Sequence, residues 1–265
     1  MARLLAAGRV VVLSGAGLST ASGIPDYRDH EGRWKRKQPV DHREFLGSAA
    51  VRRRYWARSF LGWPVIGQAQ PGSGHRALAE MEARGRIALT VTQNVDGLHQ
   101  KAGSRAVLEL HGAIADVVCM DCGGGHARAA VQEWMRAANP GFADVMAVAA
   151  PDGDADAAEG FDEGFTAPDC PACGGMLKPD VVFFGDNVPK ARVGAVSTAI
   201  DAAAGLLVVG SSLMVYSGYR FAEYAHRQGK PVMAINLGKT RADPLLTAKV
   251  EQDCGEFLAS LGRDG

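Results

Sequence analysis

Short apolar runs that end in polar or glycine-rich residues recur along the chain, at Val10–Leu13, Ile87–Val91, Ala106–Leu110, Gly205–Val209 and Pro231–Ile235. Runs of this length predict buried strands of a parallel sheet. Segments with helix-like patterning lie between them, at His75–Arg84, Arg192–Ala203 and Tyr219–Gln228. This alternation predicts an α/β fold with a Rossmann-like, doubly wound parallel sheet, in which ligands bind beyond the carboxyl ends of the strands.

Two stretches interrupt the alternation. Residues 31–74 are rich in arginine, tryptophan and proline, and residues 112–177 contain four of the five cysteines. We predict that residues 1–30, 75–111 and 178–265 form the Rossmann-like domain. The other two stretches are a helical insertion (31–74) and a separate module (112–177), which together make a smaller lobe. Within the module, Pro151–Pro168 has six acidic residues and no basic ones, which predicts a mobile surface loop that is dispensable.

Composition narrows the possible partners. The chain has 265 residues, with 29 lysines and arginines against 29 aspartates and glutamates. This balance argues against a nucleic-acid or membrane-surface partner. No apolar stretch approaches the ~20 residues of a membrane span, and the first strand-like run begins too early for a leader peptide to precede it. We therefore expect a soluble, cytoplasmic protein, in which five cysteines serve metal binding or catalysis rather than disulfides.

The cysteines are the strongest single motif. Cys119 and Cys122 form one C-x-x-C pair, and Cys170 and Cys173 form another. Four thiolates can close a tetrahedral site around one structural Zn²⁺ and leave no open position for water. The gap between the pairs exceeds the roughly 15–20 residues of a common zinc ribbon, so the chain must leave the site and return to it. Reduced core cysteines or a redox pair are the alternatives.

A glycine-rich turn follows the first predicted strand. The segment from Gly15 to Thr20 is similar to the dinucleotide fingerprint, but Thr20 stands in place of the third glycine. Small residues here would let backbone N–H groups and a helix N-terminus face a pyrophosphate. By itself the pattern is weak evidence, because a plain tight turn has the same composition.

Longer motifs follow in a fixed order. They are SGIPDYR (22–28), TQNVDGLH (92–99), ELHG (109–112), the two C-x-x-C pairs, KPDVVFFG (178–185), GSS (210–212) and IN (235–236). This set resembles the sirtuin (Sir2) family over roughly residues 8–260. The segments RYWAR, GWP (62–64) and SLMVYSGYRF (212–221) are most similar to its class II, the mitochondrial-type branch.

The resemblance implies an NAD-dependent protein-lysine deacylase, which transfers the acyl group to ADP-ribose and releases nicotinamide, so that NAD is consumed. It implies that His111 is the catalytic base, which takes a proton from a ribose hydroxyl, and that Asn94 and Asp96 complete the catalytic set. Alone, a histidine at a strand end is more often structural, and the amide and carboxylate could equally cap a turn. The NAD-contacting residues that the resemblance implies are Gly15, Ala16, Gly17, Ser19, Thr20, Ile24, Pro25, Asp26, Tyr27, Arg28, Gln93, Asn94, Val95, Asp96, Gly210, Ser211, Ser212, Asn236, Leu237, Gly238 and Cys254.

The resemblance also implies an acyl-lysine protein or peptide as substrate, bound as an added strand between Val215–Gly218 and the segment Val182, Phe183, Phe184 and Gly185. The alternative is that both segments are ordinary core. Tyr55 and Arg58 are similar in form to a pair by which one sirtuin branch holds an acyl carboxylate. They could instead belong to a solvated basic face, with Tyr55 packing inward.

Two other functions remain open. A mono-ADP-ribosyltransferase could use the same scaffold, and an NAD-binding module or a dehydrogenase could use the same turn. A dehydrogenase would not need the cysteine module and would usually keep the third glycine. The combination of His111, Asn94 and Asp96 disfavours a module without catalysis.

Overall fold

The computed structural model describes residues 1–6, 8–35, 39–142, 148–149, 155–156 and 160–263. Its α-helices are α1 (Ala2–Ala6), α2 (His42–Gly47), α3 (Ala49–Gln68), α4 (Ser73–Ala83), α5 (Leu98–Lys101), α6 (Arg128–Ala138), α7 (Lys190–Ala202), α8 (Tyr216–Arg227) and α9 (Cys254–Arg263). Its strands are β1 (Val10–Ser14), β2 (Ile87–Thr92), β3 (Val107–Glu109), β4 (Gly112–Cys119), β5 (Gly125–Ala127), β6 (Val148–Ala149), β7 (Ala155–Asp156), β8 (Leu177–Val181), β9 (Leu206–Val209), β10 (Val232–Ile235) and β11 (Ala248–Val250).

Six strands form the large sheet, in the order β11-β10-β9-β1-β2-β3. Every pairing in it is parallel. The chain adds strands on one side of β1 through β3 and then on the other side from β9 onward, so the order reverses between β1 and β9. A crevice opens at such a reversal, beyond the carboxyl ends of the strands. The predicted fold class is confirmed.

Both faces of this sheet are buried under helices. Side chains alternate along each strand, so neighbouring residues of one strand pack in different clusters. Val11 and Leu13 point into a cluster with Val196 of α7 and Phe221 of α8. Val10 and Val12, on the other face, pack in a second cluster that holds Leu78 of α4 and Leu258 of α9. Continuous apolar strands such as β1 are therefore explained by helices on both sides.

A separate three-stranded antiparallel sheet, in the order β5-β4-β8, belongs to the smaller lobe. It shares one aromatic cluster with helix α3, which includes Trp56, Phe60, Val117, Met135 and Leu177. The helical insertion and the cysteine module thus pack on each other. The domain boundaries given above remain a prediction.

Helices α3 and α6 are joined by buried hydrogen bonds, one of which uses a carbonyl that a proline leaves free. Pro64 lies inside α3 and has no N–H to donate to the carbonyl of Phe60. Gln132 Nε2 donates to that carbonyl instead, at 2.9 Å. The buried Arg128 guanidinium donates to the carbonyl of Ser59, at 3.0 Å. Two α6 side chains therefore satisfy backbone carbonyls of α3.

The acidic segment differs from its prediction. Most of residues 151–159 lie outside the described residues, but residues 160–168 pack on the smaller lobe. Asp162 is only 3% exposed and pairs with Arg53 and Arg54. Phe165 is buried in the aromatic cluster. The prediction of a mobile surface loop is wrong for these residues, because two phenylalanines among the acids supply an apolar anchor.

No helix within the described residues has the length and apolar character needed to cross a bilayer.

Candidate active site

A cavity of about 410 Å³ lies where the strand order reverses. Loops that follow β1, β2, β9 and β10 form one wall, and residues of the smaller lobe form the other. Its volume is within the range of small-molecule sites, roughly 300–1,000 Å³.

Two glycine loops meet at the base of this cavity. Gly15 N donates to Val209 O at 3.0 Å, and Gly17 N donates to Gly210 O at 2.8 Å. A Cβ atom on Gly17 would lie 3.0 Å from the carbonyl oxygen of Gly210, and Gly210 itself has a φ of +58°. Only glycine lets these two loops approach so closely.

The turn after Gly15 differs from the predicted helix N-terminus. Two short 3-10 turns, Ala16–Leu18 and Thr20–Ser22, follow it. Gly23, in the left-handed region, ends the second turn, and Pro25 follows. A long helix dipole is therefore absent from this described segment, and the N–H groups of Gly15 and Gly17 donate to the carbonyls of Val209 and Gly210.

A polar chain connects the β1 and β2 loops. Asn94 Nδ2 donates to Gly15 O at 3.1 Å and to Ser19 Oγ at 3.0 Å. Ser19 Oγ in turn donates to Asp96 Oδ2 at 2.7 Å. The other oxygen of this carboxylate accepts from Leu98 N at 2.9 Å. Asp96 is thereby held as an acceptor at the cavity wall.

Gln93 joins the same loops to the loop after β9. Its Nε2 donates to Ser211 Oγ at 2.9 Å and to Ser14 O at 3.1 Å. Behind it, Ser14 Oγ and His99 Nε2 are 2.8 Å apart. Burial lowers the pKa of His99 to about 3, so this histidine is neutral.

His111 lies at the carboxyl end of β3 and lines the cavity. Its Nδ1 is 2.9 Å from the carbonyl oxygen of Gln93 and its Nε2 is 2.8 Å from Ser217 Oγ. A carbonyl oxygen can only accept, so Nδ1 carries the proton and the Nε2 lone pair accepts from Ser217 Oγ. Burial lowers the pKa of His111, and the hydrogen bond to Gln93 opposes this shift in part. The ring is therefore a neutral base at pH 7.

Gly112 sets the position of His111. Its φ is +81°, and a Cβ there would lie 2.0 Å from the carbonyl oxygen of Asp180. Strand β8 thus approaches β4 directly beside His111, where Val182 N donates to His111 O at 2.8 Å. A side chain at position 112 would push the two strands apart.

Aromatic and cationic side chains close the cavity on the lobe side. The Tyr27 and Trp34 rings meet edge to face at 6.0 Å, and Trp34 contacts Phe184 at 5.5 Å. The Arg28 guanidinium lies 4.0 Å from the Trp34 ring centre and donates to Gly32 O at 2.7 Å.

Most predicted site residues line this one cavity: Gly15, Ala16, Gly17, Ser19, Ile24, Asp26, Tyr27, Arg28, Tyr55, Gln93, Asn94, Val95, Asp96, His111, Val182, Phe183, Phe184, Gly185, Gly210, Ser211, Ser212, Asn236 and Leu237. Among the predicted cofactor- and substrate-contacting residues, five lie outside the lining: Thr20, Pro25, Arg58, Gly238 and Cys254. Thr20 Oγ1 donates to Gly17 O. Cys254 is buried, and its Sγ donates to Gly17 O at 3.4 Å, which ties α9 to the loop without entering the cavity.

Only one member of the Tyr55–Arg58 pair lines the cavity. Tyr55 lines the cavity and packs against Phe45 at 5.3 Å and Phe183 at 5.2 Å. Arg58 is half-buried outside the lining. The paired grip on an acyl carboxylate therefore stays a prediction, with only Tyr55 at the cavity wall.

Sequence reasoning missed several residues of the site. Ser217, Trp34 and Arg220 line the cavity, and Ser217 is the partner of His111. The sequence predicts Ser217 only as part of the peptide segment Val215–Gly218, and its contact with His111 is what sequence reasoning missed. No local signal distinguishes it from an ordinary serine, since its partner is 106 residues away.

The four predicted cysteines converge away from the cavity. All four Sγ atoms lie within 4.8 Å of one another, with Cys119 and Cys173 at 3.6 Å and Cys122 and Cys170 at 3.9 Å. Tetrahedral coordination at Zn–S distances of about 2.3 Å separates two sulfurs by about 3.8 Å. The residues present therefore fit one structural zinc ion.

The two knuckles have the same backbone turn. Gly123 N donates to Cys119 O at 3.0 Å, and Gly174 N donates to Cys170 O at 2.8 Å. Both glycines have a φ near +70°. Beside the cluster, His126 Nε2 lies 3.7 Å from Cys170 Sγ, a neighbour that the sequence reasoning did not include.

The chain is similar to known proteins in both sequence and structure. The family model described as Sir2 family matches residues 15–217. The chain is 56% identical over 253 residues to an NAD-dependent protein deacetylase of Xanthomonas axonopodis pv. citri, covering 96% of this chain and 86% of the relative. It is 55% identical to one of Bordetella bronchiseptica, covering 96% and 92%. A solved structure of Sir2 with a p53 peptide and NAD⁺ superposes with a TM-score of 0.81 at 30% identity, covering 99% of this chain and 96% of the other.

Proposed function

Because the chain belongs to the Sir2 family, we propose that it is an NAD-dependent protein-lysine deacylase, which transfers the acyl group to ADP-ribose and releases nicotinamide. The observation that carries the proposal is the neutral His111 ring, with its Nε2 lone pair at the wall of the cavity. A base of this kind is what the acyl transfer requires.

His111 takes the proton of a ribose hydroxyl at Nε2. The Gln93 carbonyl holds the opposite nitrogen, which orients the ring and stabilises the imidazolium that forms. Ser217 Oγ occupies the Nε2 position in this structure, so a ribose hydroxyl would take its place.

NAD supplies the ribose that accepts the acyl group and the nicotinamide that leaves. The touching glycine loops let its phosphates approach the backbone closely, because the glycines carry no side chain there. Asn94 and Gln93 are placed to hold the ribose, because each already joins two of the loops. Asp96 and Ile24 line the part of the cavity assigned to nicotinamide. The Tyr27–Trp34 contact lies at the wall of the same cavity.

The substrate is an acyl-lysine side chain on a protein or peptide. Its main chain adds as a strand between Val182–Gly185 and Val215–Gly218, a mode in which backbone bonds give affinity with little sequence selectivity. Residues of both segments line the cavity, which supports the proposal. Four thiols gathered for a metal suit a reducing compartment, so we propose the cytoplasm as the site of action.

One assay tests the proposal. The zinc-loaded protein is incubated with NAD and an acetyl-lysine peptide, and the products are followed by mass spectrometry and absorbance. We expect nicotinamide, O-acetyl-ADP-ribose and deacylated peptide in equal amounts. ADP-ribose attached to protein would indicate a mono-ADP-ribosyltransferase instead, and NADH would indicate hydride transfer.

A further inference from the structure

A stack of two tyrosines and two arginines lies at the mouth of the cavity. The Arg220 guanidinium is 5.0 Å from the ring centre of Tyr216. The Arg241 guanidinium is 4.2 Å from the ring centre of Tyr219 and 5.6 Å from that of Tyr216. We call these four residues the Tyr–Arg surface. Contact with aromatic rings limits the freedom of both guanidinium groups, so little entropy is lost when they bind a ligand.

The Tyr–Arg surface extends from the cavity to solvent. Tyr216 and Arg220 line the cavity, and Tyr216 is nevertheless 51% exposed. Arg241 is exposed, and its backbone N donates to Ser212 O at 2.8 Å. Its side chain reaches the carbonyl of Met214 at 3.4 Å. Arg241 is therefore fixed to the loop that leads from β9 to α8, and Arg220 lies in α8 itself.

The positive charge of this surface has no partner within the described part of the chain. No described carboxylate pairs with Arg220 or Arg241, and Arg220 Nε is buried without a hydrogen-bond acceptor. Two other exposed cations do have carboxylate partners, since Lys35 pairs with Asp26 and Lys239 pairs with Glu31. A guanidinium of this kind can hold a carboxylate by two parallel hydrogen bonds.

We propose that the Tyr–Arg surface binds the carboxylate of an acidic side chain next to the acyl-lysine, so that the enzyme prefers acidic substrate peptides. The inference rests on the proposed function. Tyr216 lies within Val215–Gly218, the segment assigned to the peptide strand. A strand advances about 3.3 Å per residue and alternates its side chains. A side chain one or two positions from the acyl-lysine therefore comes within reach of the two arginines.

The test compares acetyl-lysine peptides that differ at one flanking position, with Glu, Gln or Lys placed in turn at the two residues on each side. At one of these positions we expect kcat/KM to be about fivefold higher for Glu than for Gln, the scale of a partly exposed ion pair. The difference should lie in the peptide KM and should shrink as salt is raised from about 0.05 M to about 0.5 M. Arg241→Gln and Arg220→Gln should each bring the Glu-to-Gln ratio to within about twofold.

Charge reversal sharpens the test, because a misfolded variant cannot invert a preference. Arg241→Glu should favour the Lys peptide over the Glu peptide, and Arg241→Lys should retain part of the original preference. Arg227→Gln is the matched control, since Arg227 is an exposed arginine in the last turn of the same helix. It makes the same change in net charge and should leave the ratio unchanged.

Four outcomes would overturn the proposal. The first two are equal kcat/KM for Glu and Gln at every position, and a loss of preference in Arg227→Gln as large as in the other variants. The other two are a higher KM for NAD in Arg220→Gln or Arg241→Gln with the peptide ratio intact, and an effect of Arg220→Gln only on succinyl-lysine in a peptide without acidic residues. The last would assign the surface to the acyl carboxylate. Fluorescence anisotropy of labelled peptides measures the same ratio as Kd. A binding preference without turnover would therefore count against the proposed function and not against the Tyr–Arg surface.

Discussion

The loops around the cavity and the two cysteine knuckles both join distant parts of the chain, but different forces hold them. The cavity loops rest on a sheet that is buried on both faces, and they contact one another through backbone and amide hydrogen bonds. The knuckles rest on a three-stranded sheet, and they meet at four sulfur atoms that a metal would hold. Hydrophobic burial therefore organises the large domain, whereas the smaller lobe depends on zinc and on one aromatic cluster.

Loss of zinc should give the largest effect and should separate the two regions. We expect one zinc per chain, and less than about half an equivalent in Cys119→Ser. Structural zinc contributes on the order of 10 kcal/mol to the folding of small domains. Proteolysis should then begin within residues 112–177, while the large sheet keeps its circular dichroism.

Cys254→Ser is the matched control for that experiment, because Cys254 lies outside the cluster. It should keep the full zinc content. A wild-type protein purified without chelator and lacking the metal would count against the four-thiolate site.

His111→Tyr should abolish acyl transfer and leave both regions folded. The base is lost, while strand β3 and the knuckles are untouched. General-base catalysis contributes typically 10²–10⁴-fold to a rate, so turnover should fall by about 10³-fold or more, measured as O-acetyl-ADP-ribose formed. His226→Tyr, at an exposed position of α8, should retain activity. Near wild-type turnover of His111→Tyr would remove His111 from the mechanism.

Phe165→Ala tests whether the end of the acidic segment belongs to the smaller lobe. Phe165 is buried against Phe60 and Phe142, and removal of a buried phenylalanine costs about 3 kcal/mol or more. The melting transition of the lobe should fall by about 5–10 °C. Val65→Ala, at an exposed position of α3, should shift it by less than about 2 °C. An unchanged Tm in Phe165→Ala would restore the prediction of a mobile loop for residues 160–168.

The dispensability of residues 151–159 stays a prediction; of these residues only Ala155–Asp156 are described, as strand β7. Replacement of this stretch by a short Gly/Ser linker should leave zinc content and turnover nearly unchanged. Extension of the replacement to Pro168 should destabilise the lobe.

Acid should destabilise the large domain through its buried histidines. Burial lowers the pKa of His99 to about 3 and also lowers the pKa of His75. In the unfolded chain each takes up a proton near pH 6.5. The unfolded state therefore binds more protons below that pH. For His99, folding free energy is lost as pH falls from about 6.5 towards 3, by about 1 kcal/mol per pH unit, and His75 adds a loss in the same direction.

Urea unfolding at several pH values checks this expectation. His99→Gln should reduce the pH dependence of the unfolding free energy above pH 5, and His226→Gln, at an exposed site, should not. Equal slopes in wild type and His99→Gln would show that His99 does not titrate on unfolding.

Arg58→Met should give the smallest effect. Arg58 lies outside the cavity lining, and Tyr55 packs between Phe45 and Phe183. We expect acetyl-lysine and glutaryl-lysine peptides to lose activity equally, by less than about threefold. A selective loss of about thirtyfold on glutaryl-lysine, or about 2 kcal/mol, would show that the pair does hold an acyl carboxylate.

The strands, the zinc ligands and the kind of chemistry could be predicted from the sequence. Continuous apolar runs such as Val10–Leu13 specify a strand that is buried on both faces, because successive side chains point to opposite faces and all of them are apolar. The spacing of two C-x-x-C pairs specifies a metal site, because few other sites need four thiols. Ordered motifs around Asn94 and His111 indicated the same cavity that the structure contains.

Only the tertiary structure decided which side chains meet across long sequence separations. It pairs His111 with Ser217, gives the carbonyl opposite Pro64 to Gln132, buries Phe165 and leaves Arg58 outside the cavity. It also stacks Arg241 on Tyr219. Local periodicity encodes which face of an element is buried, whereas these contacts depend on how separate elements pack. The sequence alone therefore determined the parts of the site, and packing determined their partners.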